Sequence, residues 1–402
     1  MNKKIIIYTG NFNTDQINAA GKRVIANSYL LLKDGYRPVL LGVNTRISDN
    51  IRIQKSQREI PGIELFSYPA NLFINNRYDY KSFYKCFVEF AKSYNLKLIK
   101  CVVLYGCPSI GYLNKMIIDF CHRNNIPVIA DVTDWLKSDD ANPMKRFIRQ
   151  LDIDYKNRIV YKRVDGIIAI SSFLAKYYEK SSCVITVPPL VYEKNMKKEF
   201  CHNTVTQIAY AGSPFKVGNR ITNPKYLKDR IDVMIKALAV LKSKCVKFKI
   251  HMFGFTKNEL VDCLPFIESY VNQLDDSIVF YGKIPMDEVI DKITHMDYTF
   301  LIRDNNRVTN SGFSTKIVES ITAGTPVITT MTSDISKYLK EGEGVFYLKT
   351  NKFSCICSTL KVLINRSIEE RISQKQKCSN VKCFYPDMYQ DAMKKFIEKI
   401  SN

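Results

Sequence analysis

Residues Arg303–Thr329 have the sequence RDNNRVTNSGFSTKIVESITAGTPVIT, which combines a polar loop, a glycine turn, a short helix and an apolar strand. A hydroxyl of Ser314 or Thr315 can cap the free N–H groups where the helix begins. Gly324 ends the helix, and Pro326 precedes the strand. Amide N–H groups and the helix dipole together favour an anion at such a helix start. The stretch therefore predicts a helix and strand of an α/β unit, with a phosphate site at the helix start.

Strands and helices alternate along the rest of the chain, which is typical of parallel sheets with crossover helices. In the first half we predict strands Lys4–Tyr8, Pro38–Val43, Val102–Tyr105, Val128–Asp131 and Gly166–Ser171, and helices Gly21–Asp34, Ile110–Asn124 and Phe173–Glu179. In the second half we predict strands Gln207–Tyr210, Phe248–Phe253, Ile278–Phe280, Tyr298–Leu301 and Gly344–Tyr347, and helices Arg230–Lys242, Lys257–Asn272 (broken at Pro265), Pro285–His295, Cys355–Ile364, Ile368–Ser379 and Tyr385–Ile400. The proline-containing Val184–Leu190 and the lysine-rich Val191–Thr204 between them are predicted to form a linker. A chain of 402 residues fits two domains of about 200 residues each.

The composition, 46% hydrophobic and 25% charged, is that of a soluble globular enzyme. No apolar run approaches the roughly 18 residues of a membrane-spanning helix, and the N-terminus lacks the features of a secretory signal, so a cytoplasmic location is expected. The 12 cysteines and 4 histidines are dispersed without metal or redox spacing. We therefore expect reduced thiols and no metal site.

The net charge of +21 leaves three explanations open: nucleic acid, an anionic membrane surface, or lysine-rich codon usage. No nucleic-acid motif accompanies the charge, so nucleic acid is not expected as a partner. Met144–Arg163 predicts a helix with apolar residues on one side and basic residues beside them, and Asn76–Lys100 is a second aromatic and basic candidate. Such a helix can lie on an anionic membrane, or it can pack on the sheet of its own domain.

The opening segment resembles the donor-nucleotide motif of glycosyltransferases with the GT-B fold, in particular the family-4-like group that uses nucleotide sugars. In that family two Glu residues are separated by seven others, and Gly-Phe follows the first Glu. Glu319 stands at the second position and Gly312-Phe313 is present, but Ser311 replaces the first Glu. The resemblance implies that Glu319 holds the ribose hydroxyls. Because the first Glu contacts the sugar, Ser311 leaves the sugar undefined.

The resemblance also implies the fold, α/β with two tandem Rossmann-like domains facing a cleft and a C-terminal helix that crosses back to the first domain. We expect acceptor binding in residues 1–188, donor binding in residues 189–384, and the crossing helix in residues 385–402. Tyr385-Pro386 is the expected crossing point.

Donor-side residues follow from the same resemblance. Lys228 matches a Lys that binds the donor phosphates, whereas Lys216 and Arg220 both remain open for the accompanying Arg. A strand-and-glycine turn that contacts the nucleobase corresponds to Gly282, Lys283 and Ile284. The helix-start residues assigned to the donor are Gly312, Phe313, Ser314, Thr315 and Lys316. For the basic residues, solvated surface charge is the alternative explanation.

On the acceptor side, the loop Gly10–Ala20 and the helix start after it resemble the family's glycine-bearing acceptor loop, which gives Gly10, Asn11, Gly21, Lys22 and Arg23. Asp131 and Asp134 follow a strand and can orient or deprotonate an acceptor hydroxyl, although Asp134 could instead cap a helix. Arg303, at a strand end, can reach the donor or the acceptor.

The resemblance implies transfer of a sugar from a nucleotide-diphosphate sugar to a hydroxyl of a glycan or lipid-linked acceptor. It further implies retention of configuration without a metal or other cofactor, in surface polysaccharide synthesis at the inner face of the cell membrane. Two alternatives stay open, a non-catalytic partner subunit of the same fold and a nucleotide-sugar 2-epimerase.

Overall fold

The computed structural model describes residues 3–15, 18–43, 52–69, 80–106, 111–138, 142–192, 202–349 and 352–400. The chain divides into two units. Unit 1 contains Met1–Tyr192, Asn310–Phe313 and Phe384–Asn402, and unit 2 contains Glu193–Thr309 and Ser314–Cys383. Most of the predicted linker after Tyr192, residues 193–201, lies outside the described residues.

The described part of unit 1 forms an eight-stranded sheet. Its strands are β1 (Ile5–Asn13), β2 (Arg37–Val43), β3 (Gln54–Lys55), β4 (Glu64–Ser67), β5 (Ile99–Tyr105), β6 (Val128–Val132), β7 (Gly166–Ala169) and β8 (Cys183–Thr186). The strand order is β3-β4-β2-β1-β5-β6-β7-β8, and β3 pairs antiparallel with β4 while the other pairs are parallel. The carboxyl ends of the parallel strands therefore lie along one edge of the sheet.

The helices of unit 1 begin with side-chain caps where the sequence supplies Asn or Ser. They are α1 (Ala19–Lys33), α2 (Tyr80–Lys92), α3 (Gly111–Arg123), α4 (Pro143–Arg158) and α5 (Ser172–Tyr178). Asn18, Asn142 and Ser171 accept backbone N–H bonds at the starts of α1, α4 and α5. The predicted aromatic helix starting at residue 76 is described from Tyr80, because residues 70–79 lie outside the described part.

Unit 2 is built on six parallel strands. They are β9 (Thr206–Ala211), β10 (Phe248–Phe253), β11 (Ile278–Phe280), β12 (Tyr298–Leu301), β13 (Val327–Thr330) and β14 (Val345–Leu348), in the order β11-β10-β9-β12-β13-β14. The helices are α6 (Ile231–Ser243), α7 (Lys257–Cys263), α8 (Glu268–Leu274), α9 (Met286–Thr294), α10 (Arg307–Ser311), α11 (Thr315–Thr322), α12 (Ile335–Tyr338), α13 (Phe353–Ile364) and α14 (Ile368–Ser379). The residues of α10 after Thr309 are counted with unit 1. Pro265 separates α7 from α8, as the sequence predicts.

The C-terminal helix α15 (Gln390–Lys399) belongs to unit 1, which confirms the predicted return to the first domain. Met393, Phe396 and Ile397 join the buried core that includes Ile6 and Tyr8. Each unit thus has its own parallel sheet covered by helices, and the structure confirms the prediction of two Rossmann-like folds.

Two predictions for the first half are wrong. The predicted Gly10–Ala20 loop is strand as far as Asn13, because the missing side chain of Gly10 lets β1 run beside β5; a Cβ there would meet the carbonyl oxygen of Tyr105 at 1.8 Å. The start of the predicted linker is strand β8, because Val184, Ile185 and the following threonine are β-branched and pair with β7.

No helix in the described ranges is long and apolar enough to cross a membrane.

Candidate functional site

A cluster of charged residues in unit 2 centres on the carboxylate of Asp229, which precedes α6. Arg303, just after β12, donates from Nε to Asp229 Oδ1 at 2.7 Å. Lys316, in the first turn of α11, donates from Nζ to Asp229 Oδ2 at 2.8 Å. The Tyr210 hydroxyl at the end of β9 donates to the same oxygen at 2.8 Å. Residues distant in sequence therefore meet near the carboxyl ends of two adjacent strands.

The cluster keeps a net positive charge. Burial alone would raise the pKa of Asp229, but the charges of Arg303 and Lys316 outweigh it and lower this pKa below its ordinary value. Two cations then share one ionised carboxylate. In the described part of unit 2, the Nη1 and Nη2 groups of Arg303 have no hydrogen bond. They remain available to bind an anion.

Gly212, directly after β9, lets the backbone approach the head of Lys316. Its φ is +152°, and a Cβ on it would meet Lys316 Cε at 2.1 Å and Nζ at 2.8 Å. The Lys316 ammonium also lies 5.8 Å from the centre of the Tyr210 ring. These contacts hold the ammonium at the end of the strand.

Ser314 occupies the N-cap position of α11 but makes no capping bond, so the predicted hydroxyl cap is wrong. Its side chain is 7% exposed, and its Oγ has no hydrogen-bond partner. Thr315 is the first helical residue, and Gly324, with a φ of +78°, ends α11 as predicted. An uncapped helix start beside a buried, unpaired hydroxyl has donors for an anion that the protein itself does not satisfy.

The Ser311–Phe313 part of the motif is counted with unit 1, which the sequence did not predict. The Ser311 hydroxyl accepts from the N–H of Trp135 at 3.0 Å, and its carbonyl accepts from the Ser171 hydroxyl at 2.7 Å. Phe313 is buried, and its ring lies 5.9 Å from that of Phe384. Gly312 is partly exposed between them. Phe313, which the sequence assigns to the donor, thus packs within unit 1, and Gly312 is counted with the same unit.

Glu319 lies on α11, one turn after Lys316, and is partly exposed. Both residues line a cavity of about 20 Å³ together with Ala211 and Thr299. That volume holds about one water molecule. Glu319 therefore lies on the same side of unit 2 as the charged cluster.

The predicted nucleobase turn follows β11. Gly282 has a φ of +65°, and its carbonyl accepts from the N–H of Gly254 at 2.7 Å. Lys283 is exposed, while Ile284 packs against the buried cluster that contains Phe253. The turn is therefore anchored to the end of β10.

The other predicted basic residues of unit 2 are exposed. Lys216 and Arg220 lie in the loop after β9, and Lys228 lies next to Asp229. Arg230 instead forms ion pairs with Asp232 at 2.9 Å and Asp304 at 3.2 Å. Sequence reasoning missed Asp229 and Tyr210, although Asp229 stands between the assigned Lys228 and the start of α6.

Asp131 and Arg23 form a buried ion pair in unit 1, which corrects their predicted roles as base and acceptor ligand. Asp131 accepts from Arg23 Nε at 2.9 Å and Nη2 at 2.7 Å, from Asn27 at 3.1 Å, and from the Tyr8 hydroxyl. Arg23 also donates to the carbonyl of Val187 at 2.9 Å. Both side chains are almost fully buried, so their bonds join α1 to β6 and to the segment after β8.

The remaining acceptor-side predictions fall in different environments. Gly10 meets the backbone of β5, so its lack of a side chain serves strand packing. Gly21 is buried in α1, and its N–H is accepted by the cap residue Asn18. Asn11 is exposed and Lys22 is partly exposed. Asp134 is partly exposed in an irregular segment, so the alternative of a helix cap is wrong; α4 begins later and Asn142 caps it.

Three of the four histidines have separate hydrogen-bond partners. His122 contacts Asp165 at 3.0 Å, His251 contacts Tyr281 and Gln207, and His295 contacts the carbonyl of its own helix. In the described residues no group of His, Cys, Asp and Glu is arranged to hold a metal, and the cysteines there are free thiols.

Residues 219–365, a little over a third of the chain, match the family described as Glycosyl transferases group 1. Comparison with curated proteins gives no sequence match. Sucrose-phosphate synthase from Thermosynechococcus elongatus has a TM-score of 0.66 at 10% identity, over 99% of both chains. HepE from Anabaena, in complex with UDP and glucose, has a TM-score of 0.61 at 10% identity. The alignment covers 98% of this chain and 100% of HepE. WaaG, a glycosyltransferase involved in lipopolysaccharide biosynthesis, has a TM-score of 0.62 at 12% identity. The alignment covers 96% of this chain and 99% of WaaG.

The family match lies in unit 2 apart from Asn310–Phe313, and it includes Asp229, Arg303 and α11. Unit 2 therefore contains a segment similar to group 1 glycosyltransferases, and the shared architecture shows that the chain has the GT-B fold.

Proposed function

We propose that this chain is a glycosyltransferase that moves a sugar from a nucleotide-diphosphate sugar to a hydroxyl of a glycan or lipid-linked acceptor in surface polysaccharide synthesis, with retained configuration and without a metal. The positive cluster of Arg303 and Lys316 on Asp229 carries this proposal. It lies near the strand ends of unit 2, on the side of the sheet where open α/β folds bind ligands. The start of α11 adds amide donors and the unpaired Ser314 hydroxyl.

In the proposed reaction, the bond between the anomeric carbon and the phosphate oxygen breaks, and its electron pair leaves with the diphosphate. The acceptor oxygen forms the new bond to that carbon, and the acceptor proton passes to the leaving phosphate or to a base. Arg303, Lys316 and the α11 amides would stabilise the charge that develops on the diphosphate. Lys228, with Lys216 or Arg220, would add charge from the neighbouring loop.

Glu319 would accept hydrogen bonds from the ribose hydroxyls, and the turn at Gly282, Lys283 and Ile284 would contact the base. In unit 1, Asp134 replaces Asp131 as the proposed base, because Asp131 is neutralised by Arg23 in the core. Asn11 and Lys22 are the proposed acceptor contacts. The UDP bound to HepE and the lipopolysaccharide role of WaaG support this donor class and acceptor class by analogy of fold.

A second candidate, a non-catalytic subunit that still binds nucleotide, is favoured by one observation. Ser311, where the family has its first Glu, is fully buried and bonded to Trp135 and Ser171. Ser311 therefore supplies no carboxylate to the reaction.

One experiment addresses both candidates. Melting shifts of the full chain with a panel of nucleoside diphosphates should identify one preferred base, and donor hydrolysis is then assayed with the corresponding sugar nucleotides. Glu319→Ala and Lys316→Ala should abolish the shift, whereas Lys225→Ala, an exposed lysine of the same loop region, should leave it intact. A shift without any hydrolysis or transfer supports the non-catalytic candidate. A shift that survives both variants contradicts the assigned site.

A further inference from the structure

The first half of α4 leaves a row of apolar side chains exposed. Met144 is 67% exposed, Phe147 61%, Ile148 58% and Leu151 54%. Their spacing of i, i+3, i+4 and i+7 places them on one side of the helix, which we name the α4 face. Residues 142–149 are all exposed, so no described part of the chain covers this face.

The second half of α4 anchors the helix to unit 1. Asp152 accepts from the N–H of Gly111 at 2.8 Å, and Asp154 accepts from the Trp135 indole at 3.3 Å. The carbonyl of Asn157, a buried residue, accepts from the Tyr178 hydroxyl at 3.0 Å. The α4 face therefore projects from a helix that is held in place at its other end.

The charged residues in the first two turns of α4 are all positive. Lys145, Arg146 and Arg149 are exposed in the same two turns, and the sequence between Asn142 and Leu151 has no acidic residue. An apolar row beside exposed cations meets two requirements of an anionic bilayer, since apolar side chains enter the acyl boundary while cations meet lipid phosphates.

We propose that the α4 face docks unit 1 onto an anionic lipid bilayer. A second copy of the chain fits less well, because a two-fold contact through this face would bring the same basic residues of both copies together in a chain of charge +21. Nucleic acid would use the cations but would leave the apolar row unexplained. The proposal does not depend on the proposed reaction, since docking needs no donor.

Flotation of the full chain with vesicles tests the proposal. Vesicles of phosphatidylcholine alone are compared with vesicles containing about one quarter phosphatidylglycerol, at about 0.05 M and about 0.5 M salt. The wild-type chain should bind the anionic vesicles and lose most of this binding at high salt. Phe147→Glu with Leu151→Glu should lower the partition coefficient about tenfold or more.

Matched controls separate the α4 face from general basicity and general surface hydrophobicity. Val362→Glu with Met286→Glu changes two comparably exposed apolar residues in unit 2. The double variant that combines Lys145→Glu and Arg146→Glu is compared with a control that combines Lys257→Glu and Lys361→Glu. Both double variants change the net charge by the same amount. The α4 variants should lose binding while the controls keep it. Melting temperatures and nucleotide-induced shifts should stay unchanged in all four double variants.

Three outcomes would overturn the proposal. One is equal loss of vesicle binding in the α4 and control variants, which would assign binding to overall charge. Another is wild-type binding that neither salt nor the α4 variants reduce. The third is a wild-type dimer by light scattering that the α4 variants convert to monomer without any effect on vesicle binding.

Discussion

Asp229 shows how a single buried carboxylate can position two cations. It holds Arg303 and Lys316 on opposite oxygens and also accepts from Tyr210. The cations could be assigned from sequence because they lie in the family motif. Their common anion could not, because nothing local in Leu227–Arg230 indicates that residues 74 and 87 positions away meet there.

Asp229→Asn should lower the free energy of unfolding by roughly 2–3 kcal/mol at pH 7, because it leaves two partly buried cations without a counter-ion. The pKa of Asp229 is depressed in the folded chain, so its stabilisation is complete above the unfolded pKa of about 3.9 and is lost as the pH falls through the folded value. In urea unfolding, the difference in the free energy of unfolding between wild type and Asp229→Asn should stay constant down to about pH 4.5. This difference should become smaller only below about pH 4. The exposed Asp276→Asn serves as control, and an equal loss there would contradict the argument.

His251 predicts a different pH dependence. Burial, and then the charges of Lys249 and Lys292, lower the pKa of His251 to about 4. A neutral imidazole is therefore favoured in the folded chain, and stability is full above the unfolded pKa of about 6.5 and falls as the pH drops towards 4. The free energy of unfolding of the wild type should fall by about 1–2 kcal/mol between pH 7 and pH 5. That of His251→Gln should fall by less over the same interval. The free energy of unfolding is measured against pH for His251→Gln and for the control His122→Gln. If it falls equally steeply in both variants, the pH dependence does not come from His251.

At the scale of elements, the long periodic segments were predictable and the short ones were not. Helices such as α6 and α14 and strands such as β2 and β10 follow directly from their apolar patterns, and their predicted bounds differ by at most one residue. The two-residue β3 and the five-residue α10 carry too few residues for a period to be recognised. The sequence does not predict strand β8, because the two prolines that follow it are typical of a linker.

Gly10 tests whether tight strand packing explains the long β1. Gly10→Ala should destabilise the chain by about 3 kcal/mol or more, because φ is +149° and the new Cβ would meet the backbone of β5 at 1.8 Å. Gly35→Ala is the matched control, with a φ of +84° but open space around its Cβ, and it should cost only about 1–2 kcal/mol. Chemical denaturation of both variants gives the comparison. Equal losses would mean that the backbone conformation alone accounts for the effect.

For the whole molecule, the sequence predicted two Rossmann-like units, the return of the C-terminal helix, and a donor site in the second unit. The first two are confirmed by the described structure and the shared fold. The predicted boundary at residue 188 lies close to the observed change after Tyr192, but the membership of residues 310–313 in unit 1 depends on tertiary bonds of Ser311 that no local pattern encodes. The same limit applies to Arg23 and Asp131, whose burial follows from long-range pairing.

The central claim, that the start of α11 binds the donor diphosphate, is tested most directly by calorimetric titration of the preferred nucleoside diphosphate into wild type and Ser314→Ala. The Ser314 hydroxyl is buried without a partner, so its removal should leave the melting temperature unchanged or slightly higher. If the hydroxyl binds phosphate, the same substitution should weaken the affinity about fivefold to tenfold. Unchanged affinity in Ser314→Ala, at unchanged stability, would contradict the account.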